Sequence, residues 1–362
     1  MATPIKILLF EDTLTTRSEV LEALKTNLTE QAGSVIPFAA GQFEEAAEQR
    51  QQMYEARLES ILTNPPYSSA TLIVADRDLS KSQDAGFAGL SVNAVASVAR
   101  KLAIPLCSYA RQPNVDDYDW RGRWEEGHIV VKFADGVAEL ARRAVVAARG
   151  FAEIAEGLPV VLADKTRNSS AKILASLLGK PEYAEKIALY SVGDQSRLSE
   201  ILAKPKQAEQ KMGHFLGYWL WDSLLRYPGL LVNEVAAGSY LNIGIDDFRE
   251  PSVRLLFDQA IYRGPFADTK KPQWWRGMLD DIVSHEDCND GLEFARKKAK
   301  PTAVGSQCCV DPSKPAGYYC IISQKPVSLQ NSKGGLSWFP RGADLTRISL
   351  PMLEEYGPWL GA

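Results

Sequence analysis

The sequence contains little cysteine or histidine, and it has no large excess of either charge. Its 362 residues include five Cys and three His, and 41 Lys and Arg stand against 45 Asp and Glu, for a net charge of −4. Neither half of the chain carries the positive excess that phosphate-backbone binding requires, which argues against nucleic acid as a partner. An odd number of cysteines does not form a disulfide framework, so we expect a reduced, cytoplasmic protein.

Long apolar runs are also absent. No run approaches the roughly 18 residues of a membrane span, and residues 1–13 are too short and too acidic for a signal peptide. We therefore expect no membrane partner. The composition, 45% hydrophobic and 24% charged, is globular, and the length predicts two domains. Glycine and proline in residues 157–170 place the predicted boundary, which gives domains 1–156 and 157–362.

The first domain alternates short apolar runs with segments whose apolar residues have helical spacing. The predicted strands are residues 5–10, 35–38, 71–75, 104–109 and 128–133, and the predicted helices are 17–28, 42–62, 90–102 and 137–155. This alternation predicts an α/β fold, a doubly wound five-stranded parallel sheet of the flavodoxin type.

Charged residues stand at the ends of three of these strands. Glu11 and Asp12 end the first strand, Asp76 ends the third, and Lys132 lies near the end of the fifth. Carboxyl ends of parallel strands share one edge of the sheet, so we expect these side chains to meet there. Three neighbouring carboxylates repel one another unless a cation lies between them, and a few oxygen ligands suit Mg²⁺. A lysine beside them can pair with a phosphoryl oxygen.

Four short segments carry these residues in a fixed order. They are ILLFED (7–12), LIVADRDL (72–79), IPL (104–106) and IVVK (129–132). Together they make residues 3–150 resemble the receiver domain of two-component response regulators. The resemblance implies that Glu11, Asp12 and Asp76 bind Mg²⁺, that Asp76 accepts a phosphoryl group, and that Lys132 contacts this group. It also implies a partner that donates the group from a phosphohistidine, either a histidine kinase or a phosphotransfer protein.

Some positions depart from that family's pattern. Alignment from Pro105 puts Ala110 where the family has Ser or Thr, and Ser108 fits only with a two-residue shift. Ile129 stands where an aromatic residue is common, and these two positions usually relay phosphorylation. Asp78 adds a fourth carboxylate near any phosphate. Two interpretations therefore stay open, a phosphorylated receiver with an unusual switch and a pseudo-receiver that serves as a docking module.

The second domain is predicted to be mainly helical, with α+β character. An apolar stripe over residues 207–227 predicts its strongest helix. Pro272 followed by Trp274 and Trp275 predicts the start of another helix with one Trp exposed, because adjacent residues cannot both face inward from a helix. The predicted strands are residues 303–310 and 318–323.

Four of the five cysteines lie in or just before these C-terminal strands. His285, Cys288, one of the adjacent pair Cys308 and Cys309, and Cys320 form a candidate Zn²⁺ site. The same residues could supply a Cys–His nucleophile pair. Their spacing fits no common zinc pattern, and buried free cysteine is also an ordinary core residue.

Three hypotheses follow from the sequence. In the first, phosphorylation of Asp76 controls protein contacts of the C-terminal domain, which acts as an output or adaptor. In the second, a pseudo-receiver scaffold acts by protein–protein binding. In the third, the C-terminal domain is an enzyme with a cysteine- or metal-centred site. The first two describe a signalling or adaptor protein rather than an enzyme.

Overall fold

The structure, a computed structural model, describes residues 4–28, 33–38, 54–77, 79, 90–110, 129–132, 136–164, 166, 168–190 and 208–360. The chain divides into two compact units. The N-terminal unit comprises Met1–Asp119, Arg123–Ile173 and Gln195–Tyr218, and the C-terminal unit comprises Trp120–Gly122, Leu174–Asp194 and Trp219–Ala362.

A parallel sheet with the strand order β2-β1-β3-β4-β5 forms the centre of the N-terminal unit. Its strands are β1 (Ile5–Phe10), β2 (Gly33–Pro37), β3 (Leu72–Asp76), β4 (Leu106–Ala110) and β5 (Ile129–Lys132). Every neighbouring pair runs parallel. All residues of β3 are buried, as expected for a strand that is covered on both faces. The α/β class and the parallel sheet are therefore confirmed.

Helices pack beside this sheet in two pairs. They are α1 (Leu14–Leu28), α2 (Tyr54–Leu62), α3 (Val92–Leu102) and α4 (Val137–Leu162). Helix α1 packs against α4, and α2 packs against α3. Leu8, Phe10, Ile73 and Ala75 belong to the buried cluster that contains residues of α2 and α3. The alternate residues of β1 and β3 therefore point to the opposite face, because successive side chains of a strand alternate.

Two of these helices differ in extent from the sequence prediction. The helix predicted over 42–62 is seen as Tyr54–Leu62, and residues 42–53 lie outside the described residues. Helix α4 continues to Leu162, past the predicted boundary at 156 and through Pro159. Its buried stripe continues through Ile154, Leu158 and Val161, so side-chain packing extends the helix beyond the glycine and proline.

The rest of the described chain combines short helices with short strands. The helices are α5 (Ser170–Leu177), α6 (Ala184–Ala188), α7 (Ala208–Trp219), α8 (Glu234–Tyr240), α9 (Ile245–Arg249), α10 (Pro251–Leu255), α11 (Arg276–Ser284), α12 (Gly291–Lys298) and α13 (Leu350–Leu360). The strands are β6 (Leu231–Asn233), β7 (Gln273–Trp275), β8 (Tyr318–Cys320), β9 (Pro326–Val327), β10 (Ser332–Lys333) and β11 (Thr346–Ser349). Strands β6 and β7 pair antiparallel, and the other four form a sheet in the order β10-β11-β8-β9. None of the helices in the described ranges combines the length and apolar character that crossing a bilayer requires.

The prediction for Trp274 and Trp275 is wrong. Both residues lie in strand β7, which pairs with β6, and the helix begins only at Arg276. Their side chains are both buried, at 0% and 4% exposure. One exposed Trp is expected only if both residues lie on a helix, whereas a strand that is covered on both faces buries adjacent side chains on opposite sides.

The long predicted helix at 207–227 is also interrupted. Helix α7 ends at Trp219, and a π-helical turn follows at Leu220–Leu224. The predicted strand at 303–310 reduces to one isolated bridge between Gln307 and Pro315. The strand predicted at 318–323 is present as the shorter β8.

Candidate acidic site at the sheet edge

Three buried carboxylates meet at the carboxyl edge of the parallel sheet. Glu11, Asp12 and Asp76 each offer an oxygen atom, and these oxygens all lie within 4.8 Å of one another. None of the three residues is more than 8% exposed. The register explains the meeting, because Phe10 of β1 lies opposite Ala75 of β3 and the acidic residues come next in each chain segment.

Hydrogen bonds fix two of these carboxylates. The backbone N–H of Thr13 donates to Oε1 of Glu11 at 2.9 Å, and the Thr13 hydroxyl donates to Oδ1 of Asp12 at 3.2 Å. The hydroxyl of Tyr109 donates to Oε2 of Glu11 at 2.5 Å. Both oxygens of Glu11 are therefore held in place by the protein, which fixes the direction in which its remaining lone pairs point.

Tyr109 is a residue of this site that the sequence reasoning missed. It is fully buried on β4 and lies opposite Asp76 in the strand register. No spacing in the sequence marks Tyr109, because the strand register that places it opposite Asp76 is set by tertiary packing.

The strand register also locates the positions that depart from the receiver pattern. Ala110 of β4 lies opposite Lys132 of β5, and Ser108 lies two residues earlier, opposite Val130 and Ala75. The Ser108 hydroxyl is buried and has no hydrogen-bond partner among the described residues. Lys132 is therefore the last residue of β5, at the carboxyl edge of the sheet where the sequence predicts it. The side chain of Lys132 lies outside the described residues, as does Asp78.

The donor set fits a divalent cation. Three carboxylates that are withdrawn from water and lie this close repel one another, and the repulsion falls when a cation shares them. All the donors are oxygens, which is the chemistry that Mg²⁺ prefers, and three protein ligands leave coordination positions for water and phosphate. Glu11, Asp12 and Asp76 are therefore suited to hold Mg²⁺.

The candidate zinc residues do not assemble in the same way. Nδ1 of His285 lies 2.6 Å from the carbonyl of Asp281, and Cys288 donates to the carbonyl of Glu286 at 3.4 Å. Cys320 accepts from the N–H of Ser349. Within the described residues, which include all five cysteines, the acidic set is the only group of three or more potential ligands that comes together.

The comparisons with known proteins add no assignment. The sequence matches no protein-family model and no curated protein. The site is therefore characterised by the geometry of its own residues.

Proposed function

We propose that the N-terminal unit is a receiver-like domain in which Asp76 accepts a phosphoryl group in the presence of Mg²⁺. The meeting of three buried carboxylates at the carboxyl edge of the parallel sheet carries this proposal. A histidine kinase or a phosphotransfer protein is the proposed donor. The phosphorylated state would control protein contacts of the chain beyond residue 156, which we propose as an α+β output domain.

The proposed reaction is an in-line displacement at phosphorus. A carboxylate oxygen of Asp76 forms a bond to phosphorus while the phosphorus–nitrogen bond of the phosphohistidine breaks. The leaving imidazole keeps the electron pair and takes up a proton. When bound, Mg²⁺ neutralises charge on the transferred group.

The residues around Asp76 supply positioning and charge. Glu11 and Asp12 would hold the cation, and the hydrogen bonds from Thr13 and Tyr109 fix the position of the Glu11 carboxylate. Burial excludes water from the carboxylates, which strengthens their interactions with a cation and a phosphoryl group. Lys132, at the end of β5, is proposed to contact a phosphoryl oxygen.

One observation favours a second candidate, a pseudo-receiver that acts as a scaffold. Ala110 lies opposite Lys132, so no hydroxyl stands at the β4 position next to this lysine. Tyr109 also uses its hydroxyl to bind Glu11 within the site. A chain that uses the site only for structure would keep these contacts and would not need to accept a phosphoryl group.

Incubation of the full chain with acetyl phosphate and Mg²⁺ separates the two candidates. Intact mass should show one phosphoryl group on the wild type and none on Asp76→Asn. The control variant Glu22→Gln changes an exposed carboxylate on α1 and should be labelled like the wild type. A wild type that gains no phosphoryl group, or an Asp76→Asn variant labelled to the same extent, would favour the scaffold.

A further inference from the structure

A polar cavity lies in the C-terminal unit, and none of its lining residues belongs to the acidic site. Its volume is about 290 Å³, near the lower end of the range for small-molecule sites, roughly 300–1,000 Å³. The lining comes from two segments, residues 334–341 and 343–347. The first follows β10 and the second ends in β11, and these two strands pair antiparallel.

The cations of this cavity lack carboxylate partners. Arg341 and Arg347 both line the cavity, and neither forms an ion pair among the described residues. Asp344 is the only acidic lining residue, and both of its oxygens accept hydrogen bonds from Nη1 of Arg276, at 2.7 and 2.8 Å. The charge of Asp344 is thus already compensated, so the lining presents a net positive charge.

The guanidinium of Arg347 is held in a fixed position. Its Nε donates to the hydroxyl of Ser332 at 2.7 Å and its Nη2 donates to the Ser332 carbonyl at 2.8 Å. The group also lies over the ring of Tyr318, 4.9 Å from the centroid. Within the described residues, Nη1 has no hydrogen-bond acceptor. Burial lowers the pKa of this guanidinium, while Tyr318 acts in the opposite direction.

The glycine turn after β10 makes room for this arrangement. A Cβ at Gly334 would lie 2.7 Å from Nη1 of Arg347, so the missing side chain provides the space for this atom. Gly335 has a φ of +67°, a conformation that glycine adopts without strain. In the described part of the chain, the N–H groups of Gly334 and Gly335 and the hydroxyl of Ser337 have no hydrogen-bond partner. The sequence motif Lys-Gly-Gly at 333–335 thus borders a cavity with several unused donors.

We propose that this cavity binds a small phosphomonoester, with Arg341 and Arg347 contacting the phosphate. Guanidinium groups recognise phosphate oxygens in a geometrically defined way. Donors that come from two arginines, a serine and a glycine turn suit a tetrahedral group with three free oxygens better than a planar carboxylate with two. The volume leaves space for a small organic group beside the phosphate. The proposal does not depend on the function proposed for Asp76.

Calorimetric titration of the full chain with glycerol 3-phosphate tests this site. A chelator keeps the acidic site free of divalent cations, and succinate serves as the carboxylate comparison. We expect saturable binding with a Kd below about 1 mM and at least fivefold weaker binding of succinate. Arg341→Ala should weaken phosphomonoester binding at least fivefold, and Arg347→Lys should weaken it further. Arg263→Ala removes an exposed arginine outside the cavity and should leave the affinity unchanged.

Three results would overturn the proposal. The first is the absence of saturable binding up to about 10 mM ligand. The second is equal affinity in the wild type and in Arg341→Ala, a variant that removes no internal hydrogen bond among the described residues. The third is equal affinity for succinate and glycerol 3-phosphate, which would remove the assignment to phosphate.

Discussion

The hydroxyl of Tyr109 donates a 2.5 Å hydrogen bond to Oε2 of Glu11, inside a set of three buried carboxylates. This bond links the end of β4 to the end of β1 across the intervening strand β3. It replaces part of the hydration that Glu11 loses on burial. A cation shared by the carboxylates would compete for the same oxygen, so Tyr109 connects the occupancy of the site to the position of β4.

Replacing this tyrosine should separate its structural role from its effect on cation binding. In Tyr109→Phe, a buried carboxylate oxygen loses its donor, and the free energy of unfolding without Mg²⁺ should fall by about 2 kcal/mol. Because Mg²⁺ then binds a carboxylate that has lost the hydrogen bond from Tyr109, it should stabilise the variant more than the wild type. Urea denaturation with and without Mg²⁺ measures both quantities.

Tyr218→Phe is the matched control for this experiment. The Tyr218 hydroxyl accepts a 2.7 Å hydrogen bond from the N–H of Leu106, in the same unit but away from the carboxylates. Loss of this hydrogen bond should destabilise the protein without changing the increase in the free energy of unfolding that Mg²⁺ provides. A smaller Mg²⁺ increment in Tyr109→Phe than in the wild type would show that Tyr109 mainly orients Glu11 for the cation.

Removing one carboxylate should stabilise the cation-free protein. Asp76→Asn reduces the repulsion among three buried acidic groups, and we expect the free energy of unfolding to rise by about 1 kcal/mol. The same variant should lose most of the stabilisation by Mg²⁺. Glu22→Gln, which changes an exposed carboxylate, should stay within about 0.5 kcal/mol of the wild type under both conditions. Destabilisation of Asp76→Asn in a chelator would contradict the repulsion on which the site is based.

An ion pair between the buried Asp247 and the partly exposed Lys300 in the C-terminal unit predicts a specific acid sensitivity. Asp247 accepts from Nζ of Lys300 at 2.6 Å and from the N–H of Val304 at 2.7 Å. Burial alone would raise the pKa of Asp247, but these two hydrogen bonds lower it below its usual value. A lowered pKa in the folded state contributes stability above the unfolded value of about 3.9, and this contribution disappears as the pH falls through the folded value.

Chemical denaturation between about pH 5 and pH 2 checks this expectation. The unfolding free energy of the wild type should decline more steeply below about pH 4 than that of Asp247→Asn. Asp246→Asn provides the control, because this neighbouring side chain is 97% exposed. Parallel declines in the wild type and in Asp247→Asn would exclude Asp247 as the source of the acid sensitivity.

The sequence could predict the acidic edge because it follows from local patterns alone. Buried strands appear as apolar runs, and parallel strands bring the residues after them together, as seen for Glu11 and Asp76. Tyr109 was missed because its role depends on which residue it faces across two strands. That register is set by tertiary packing, and no spacing in the sequence encodes it.

The C-terminal unit was harder to predict for a related reason. Trp274 and Trp275 follow a proline and resemble a helix start, but pairing with β6 makes them a strand. Among the described residues, His285 and the C-terminal cysteines form no group of three potential ligands, and Cys320 accepts a hydrogen bond from the N–H of Ser349 instead. Arg347 and the glycine turn line the same cavity only because β10 pairs with β11. Each of these features is formed by contacts between separate segments of the chain. No repeating pattern of apolar residues in the sequence links those segments.

The location of a phosphoryl adduct shows whether Asp76 is the residue that accepts the group. The protein is treated with acetyl phosphate and Mg²⁺, then reduced with borohydride, which converts an aspartyl phosphate to homoserine, and the peptides are mapped by mass spectrometry. We expect homoserine at position 76 and nowhere else, and none when a chelator replaces Mg²⁺. An unmodified Asp76, or conversion at other carboxylates to the same extent, would contradict this expectation.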